Sequence, residues 1–397
     1  MEHPVVLILG AGVHQVDAVR AAQRLGCEVW TVDYSAESPA HRVADHFWVR
    51  STQEADALRT DWEATGRAFP NGVLAPCTDV GLLALAELVE AWGVVGPGRE
   101  LVKLVCDKRN FRSWQRAHGL EHPRFALEAG DFLSGGTPAW LAKPSRCSGT
   151  RGVTWGLGTD GLLHAWEQAA KASLDGCALV EEWLEGEQLT AEGFWQEGKL
   201  AWWELTDRLI PGPDRPLTQG HVFPSTVPDA ARVAVQEELE NTMRLLPFAG
   251  GFFDADVVWS GGRAVILEWT PRLGGNRLTK LWQRLGGPDV AEEAVRHALG
   301  WTVEPMKWPH PQPGFVEILG GSRAGRLLYD EERVPEAADW VRGLLEVGID
   351  ASPGAMVPPW LDGRSALGYI IGSATANEPP RRQIVQETLD FLEWRVE

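Results

Sequence analysis

Asp256 and Glu268 lie on two apolar stretches joined by the glycine-rich turn Ser260-Gly261-Gly262. The second stretch runs on into Glu268-Trp-Thr-Pro-Arg272-Leu-Gly-Gly-Asn276. In Gly251–Trp259 the odd positions Phe253, Ala255, Val257 and Trp259 are apolar, so Asp254 and Asp256 share the opposite face of a strand. Val265, Leu267 and Trp269 repeat the alternation around Glu268. A three-residue turn would set Asp256 opposite Ile266 and diagonal to Glu268, on one face. Two carboxylates facing each other across a hairpin repel unless a cation lies between them. That chemistry suits Mg²⁺, and Arg272 follows closely enough to meet an anionic ligand. A solvated hairpin face would carry the same acids, so the remainder of the chain has to decide.

Further upstream are residues suited to phosphate. Ala139-Trp-Leu-Ala-Lys143-Pro144 reads as a strand that delivers a lysine, followed by Ser145-Arg-Cys-Ser148-Gly149-Thr-Arg-Gly152. Such a loop can wrap a polyphosphate with its backbone amides while the lysine supplies point charge. It lacks the Gly-Lys-Ser/Thr ending of a Walker loop. Asp107-Lys108 opens a helix, and a lysine in a first turn is misplaced unless something anionic is near. Val180-Glu181-Glu182-Trp183-Leu184-Glu-Gly186-Glu187-Gln188 reads as a strand entering a glycine turn, with extended backbone able to pair with a base edge.

The first hundred residues alternate strands and helices. Strands are expected at 5–9, 27–32, 46–49 and 72–75, with helices through 25, over 53–65 and over 79–92, the last started by Thr78-Asp79. This is a doubly wound α/β unit. Gly10-Ala-Gly12 with Asp33 invites a dinucleotide reading, but the third glycine of that fingerprint is Gln15 here. From 107 the texture becomes α+β, with helices over 107–118, 160–171 and 229–246, then 279–285 and 288–299. Pro305 and Pro309-His-Pro-Gln-Pro313 read as a linker before a tail of short strands and a helix from 381.

The chain has 397 residues, 44% of them apolar, and can bury large cores. A net charge of -18 argues against nucleic acid or an anionic membrane surface as partner. No apolar run reaches the length of a membrane helix, and the first residues read as a strand rather than a signal peptide. Five scattered cysteines without metal-ligand spacing point to a reducing, cytoplasmic setting.

Taken in order, the Asp107-Lys108 helix start, the Lys143-Pro144 strand with its glycine loop, the Glu181-Glu-Trp-Leu184 hinge and the acidic hairpin ending in Glu268-x-x-x-Arg272 resemble the ATP-grasp superfamily. Gly10-Ala-Gly12, Ser38-Pro39-Ala40, Ala44-Asp45 and Cys77-Thr78-Asp79 look like the domain that precedes it in these enzymes. The resemblance implies an N-terminal α/β domain over 1–106 and a two-lobed ATP-grasp domain over 107–305 with a lid near 122–182. A small C-terminal α+β domain would follow over 306–397, like that of carboxylate–amine ligases. It implies ATP and Mg²⁺, with Mn²⁺ as a substitute, and a homodimer.

Carried over position by position, Lys108 and Lys143 would hold phosphates under a loop from Ser145 to Gly152, with Ser148 and Gly149 at its tip. Backbone from Glu181 through Glu182, Trp183 and Leu184 would read adenine, with Glu187 and Gln188 near the ribose. Asp256 and Glu268 would hold the metal and Arg272 the transferring phosphoryl group. Gly274, Gly275 and Asn276 would line the acceptor pocket, and His221 would border it. Two positions depart from the pattern: Thr270 stands where a metal-binding asparagine is usual, and Gln188 where a ribose carboxylate is usual.

The expected activity is an ATP-dependent joining of a small-molecule carboxylate, amino-acid-like, to an amine through an acyl phosphate. The alternatives are a bicarbonate-using carboxylase of an amine and a non-catalytic ATP-binding regulator, with a nicotinamide dehydrogenase more distant.

Overall fold

A computed structural model describes residues 3–133, 139–212, 214 and 216–397 of the chain. Four parallel strands, β1 (Val5–Leu9), β2 (Glu28–Asp33), β3 (His46–Val49) and β4 (Gly72–Leu74), pair in the order β3-β2-β1-β4. β1 is an unbroken apolar run because helices cover both faces of a parallel sheet. Strand order reverses beside β1, and the loops after the strand ends face one side of the sheet, where open α/β sheets receive ligands. The helix expected from 79 starts only at Leu82, with Gly81 as a cap that makes no side-chain bond. Asp79 does not cap it because Arg272, far away in sequence, holds its carboxylate.

A second, antiparallel sheet has the order β5-β8-β6-β7, from β5 (Phe125–Ala126), β6 (Trp140–Pro144), β7 (Thr154–Gly156) and β8 (Ala178–Glu182). Helix Leu162–Ala172 seals it by packing Leu162, Ala165 and Ala169 on Trp140, Ala142 and Val180. The glycine loop joins β6 to β7 and so hangs from the edge of this sheet.

The largest sheet carries the acids. Its strands from the middle of the chain are β9 (Glu187–Gln196), β10 (Lys199–Arg208), β11 (Gly220–Phe223), β12 (Gly251–Ser260), β13 (Arg263–Thr270) and β14 (Gly314–Gly320). The tail adds β15 (Gly325–Leu328), β16 (Leu344–Ile349), β17 (Met356–Val357), β18 (Ala366–Ser373) and β19 (Arg395–Val396). Eight strands pair in the order β13-β12-β9-β10-β11-β14-β18-β16, so the tail extends the sheet that holds the acidic hairpin. The strands β17-β15-β19 form a separate small sheet that packs Leu327 and Val357 against Leu367 of β18. Helix Asp229–Leu245 covers one face through Val235, Leu239 and Met243. On the other face Leu278, Leu281 and Trp282 join a core shared with Val19, Ala22 and Val29 of the first unit. No helix among the described residues is long and apolar enough to cross a membrane.

The hairpin register differs from the expected one. Ser260 pairs with Arg263, leaving a two-residue turn at Gly261 and Gly262, whose φ values of 57° and 82° suit a turn that needs left-handed backbone twice. A bulge at Leu267 then shifts the ladder. Asp256 faces Glu268 directly, and Ile266 faces Val257 instead.

Candidate functional site

Glu268, Asp256, Thr190 and Thr206 are successive cross-strand neighbours on β13, β12, β9 and β10, so their side chains share one face of the sheet. Thr190 Oγ1 donates to Asp256 Oδ1 at 3.0 Å. Each acid meets its own cation: Arg208 lies 2.9 Å from Asp256, and Lys108 lies 3.1 Å from Glu268. Burial raises the carboxyl of Asp256 above its ordinary range despite Arg208. Burial acts in the same direction on Glu268, but Lys108 outweighs it and holds that carboxyl low. Lys108 also donates to the Cys147 carbonyl at 2.9 Å, tying the helix start to the glycine loop.

Arg272 is clamped between Asp254 and Asp79, each at 2.7 Å, and so joins the hairpin to the loop after β4. Burial pushes Asp254 up to about 7, against the pull of Arg272. The Gly274 amide donates to Glu192, a fully buried acid that also accepts from Trp282 Nε1. Gly274 is therefore a support, while Gly275 and Asn276 line the open cleft. His221 sits opposite Arg208 and is 1% exposed. Its Nδ1 is 3.0 Å from Thr206 Oγ1 and its Nε2 is 3.3 Å from Asn276 Nδ2. Burial lowers its pKa to about 3, so the ring is neutral near pH 7 and both nitrogens are engaged.

These groups line a cleft of about 610 Å³. Its far wall comes from the first sheet, with His14, Tyr34, Thr52 and Thr78 from the loops after all four strands. Ser148, Gly149, Thr150 and Arg151 of the glycine loop form another wall, and the Gly149 carbonyl accepts the Gly363 amide at 3.0 Å. A narrower slot of about 110 Å³ opens between the sheet β5-β8-β6-β7 and the large sheet. Lys108, Lys143, Trp183, Gln188, Asp256 and Glu268 are among its walls.

Several expected residues lie behind the slot rather than in it. The hydroxyl of Ser145, fully buried, lies 2.9 Å from an Asp107 oxygen and 3.0 Å from an Asp175 oxygen, with its one proton to donate to either, and so fixes the helix start. Gly152, at φ 70°, packs so closely that a Cβ would lie 2.5 Å from Ala172. Backbone of Glu181 and Glu182 is committed to ladders with β6 and β5, because β8 is an inner strand. The Trp183 amide donates to Ala139 at 2.8 Å. Glu187 is exposed and pairs with Trp259 at the strand end. Gln188 faces the slot, its Nε2 3.5 Å from the Leu184 carbonyl. The Thr270 hydroxyl donates to the Asp254 carbonyl at 3.4 Å. Lys143 lines the slot with its ammonium 2.6 Å from Glu181.

Sequence reasoning missed Arg208 and Arg112. Nothing local marks them, because each acts on a partner from another element: Arg208 on Asp256, and Arg112, from the helix of Lys108, on Glu181. Asp79, expected to start a helix, instead pairs with Arg272. Thr190, whose hydroxyl donates to Asp256, follows only from the cross-strand register.

Asp256 and Glu268 are suited to a hard cation: two opposed oxygen donors, compensated here by two protein cations. Among the described residues no three His, Cys, Asp or Glu side chains converge as a cage. Mg²⁺ needs none, since it is commonly held by one or two carboxylates and completed by water and phosphate.

No protein-family model matches the chain. A formate-dependent phosphoribosylglycinamide formyltransferase of Synechococcus sp. (strain WH7803) is 33% identical over 188 residues, 45% of this chain and 47% of that one. The match thus spans about half the length of this curated relative. The crystal structure of an L-amino acid ligase from Bacillus licheniformis superposes with a TM-score of 0.79 at 16% identity, covering 100% of both chains. That of a phosphoribosylglycinamide synthetase from Anaerococcus prevotii gives 0.77 at 16% identity, again over 100% of both. At these identities the likeness establishes the fold.

Proposed function

The chain has the ATP-grasp fold, and from that premise we propose that it is an ATP-dependent ligase joining a small-molecule carboxylate to an amine. The observation that carries this reading is the meeting of Asp256 and Glu268, each with its own cation, at the place where the slot and the large cleft share walls beneath the glycine loop.

In this reading the nucleotide enters the slot, with its base beside Trp183 and its phosphates toward Lys143 and Lys108. Asp256 and Glu268 would hold Mg²⁺, which when bound neutralises phosphate oxygens. The acid substrate occupies the cleft, and one of its carboxylate oxygens attacks the γ-phosphorus in line as the bond to the β-phosphate oxygen breaks. Arg272 and Arg208 face the charge that develops there. ADP leaves, and the acyl phosphate meets an amine held near Gly275 and Asn276. The amine nitrogen adds to the carbonyl carbon, loses its proton, and inorganic phosphate departs. Neutral His221 orients the Asn276 amide and transfers no proton in this scheme. The glycine loop excludes water from the acyl phosphate.

The decisive experiment is ADP release from MgATP against a panel of amino acids, other small carboxylates and bicarbonate, each with and without amines. Turnover that needs a particular acid together with an amine supports the ligase. A second reading, in which the acid is as small as formate, draws on the 188-residue alignment, 33% identical, with the formate-dependent relative, so formate belongs in the panel. Turnover with bicarbonate would favour a carboxylase. Nucleotide binding without any turnover would favour a regulator, in line with Thr270 and Gln188.

A further inference from the structure

Arg112 is a large buried cation that the proposed reaction does not use. It stands one turn after Lys108 on helix Lys108–Ala117 and is 1% exposed. Its Nε lies 2.8 Å from one oxygen of Glu181, an ion pair rather than an aligned hydrogen bond. The other oxygen accepts from Lys143 at 2.6 Å. Nη2 of the same guanidinium donates to the Leu267 carbonyl at 2.5 Å, and Nη1 to Gln115 Oε1 at 2.7 Å. Leu267 is the bulged residue that brings Glu268 opposite Asp256. One side chain therefore joins the helix of Lys108, the lid strand of Glu181 and the hairpin strand of Glu268.

The charges are as telling as the contacts. Burying one acid between two bases leaves a surplus of one positive charge. Burial acts to raise the Glu181 carboxyl, but Arg112 and Lys143 outweigh it and lower its pKa to about 2, so the acid is ionised at neutral pH. Arg112 is sealed from solvent, whereas Lys143 lines the slot. The surplus is thus presented through Lys143. For packing alone, an apolar side chain of similar volume would serve as well as a buried ion pair, or better.

We propose that Arg112 is a positioning residue for the nucleotide. Through Glu181 it holds Lys143 on the phosphate side of the slot with a net positive charge, and through Leu267 it fixes the bulge that aims Glu268. The inference rests on the ligase reading, because it takes the slot as a nucleotide site.

The test is calorimetric binding of Mg-ADP to the full-length protein and its variants, each checked for folding by thermal melting. Arg112→Met takes the triad from one positive charge to none and should weaken Mg-ADP binding about tenfold, the effect of some 1.4 kcal/mol. Adding Glu181→Gln restores the surplus charge, so the double variant should recover most of that loss. A purely structural role predicts no such rescue. Arg112→Lys keeps the charge but cannot span Glu181 and the Leu267 carbonyl together. It should bind ADP nearly as the wild type does while needing several-fold more Mg²⁺ for half-maximal ADP release. Should the methionine variant fail to fold, this lysine variant decides, and an unchanged Mg²⁺ requirement would overturn the role at the bulge. Wild-type ADP binding in Arg112→Met, or a double variant no better than the single, overturns the inference and leaves the ligase reading standing. A wild-type protein that binds no Mg-ADP overturns both.

Discussion

Two short glycine-bearing turns in this chain start from similar residues and end with opposite capacities. At Gly10-Ala-Gly12 the Ala11 amide donates to Asp33 at 2.9 Å, and the Gly10 amide donates to Val32 at 2.8 Å. The Gln15 side chain fills the remaining space, close against Gly10 and Gly12, and bonds the Pro76 carbonyl. The acid that sequence could assign to a ribose is the one that closes the turn. Around 147–152, by contrast, no protein acceptor is found for the backbone amides among the described residues, and the loop tip lines both the slot and the cleft. Glycine content did not separate these two turns. What separates them is whether another part of the chain supplies a carboxylate to occupy the amides.

Four experiments can break or sharpen that contrast. The largest effect is expected from Glu268→Gln, on the acid whose partner Lys108 also grips the loop: ADP formation should fall by about a hundredfold or more with the melting temperature preserved. Unchanged turnover would detach the loop from any catalytic role. An intermediate effect is expected in the loop itself. Gly152→Ala forces a Cβ into Ala172 at a left-handed φ and should raise KM for ATP by about tenfold. Asp33→Ala should instead leave KM alone while costing about 1–2 kcal/mol of stability for the buried amide it orphans. A KM shift in Asp33→Ala would make the first turn a nucleotide contact after all.

The smallest effect concerns pH. The pKa of Glu181 falls from 4.5 to about 2 on folding, so its contribution is complete above pH 4.5 and disappears as pH drops toward 2. Melting temperature should decline across that window less steeply in Glu181→Gln than in the wild type. Parallel declines would show that the ionisation of Glu181 on β8 does not contribute to stability.

Much of the architecture was legible in the sequence because its signals are local. An unbroken apolar run marked β1, alternation marked the hairpin, and Asp107 caps its helix through bonds to residues 109 and 110. The errors arose where a distant partner overrode a local preference. Asp79 looks like a helix cap and is taken by Arg272, 193 residues away. Lys143, expected as a phosphate ligand, lines the slot and also has a protein partner, Glu181, that no local signal marks. The turn at Gly261-Gly262 and the bulge at Leu267 changed the register by amounts that no composition rule specifies.

The sequence by itself determined which chemical groups are available and which strand face carries them, because side-chain periodicity follows directly from backbone geometry. Tertiary structure alone decided which cation answers each acid: Lys108 for Glu268, Arg208 for Asp256, Arg112 and Lys143 for Glu181. A buried carboxylate takes the nearest positive charge in space whatever its place along the chain, since desolvation makes an unpaired charge too costly to keep.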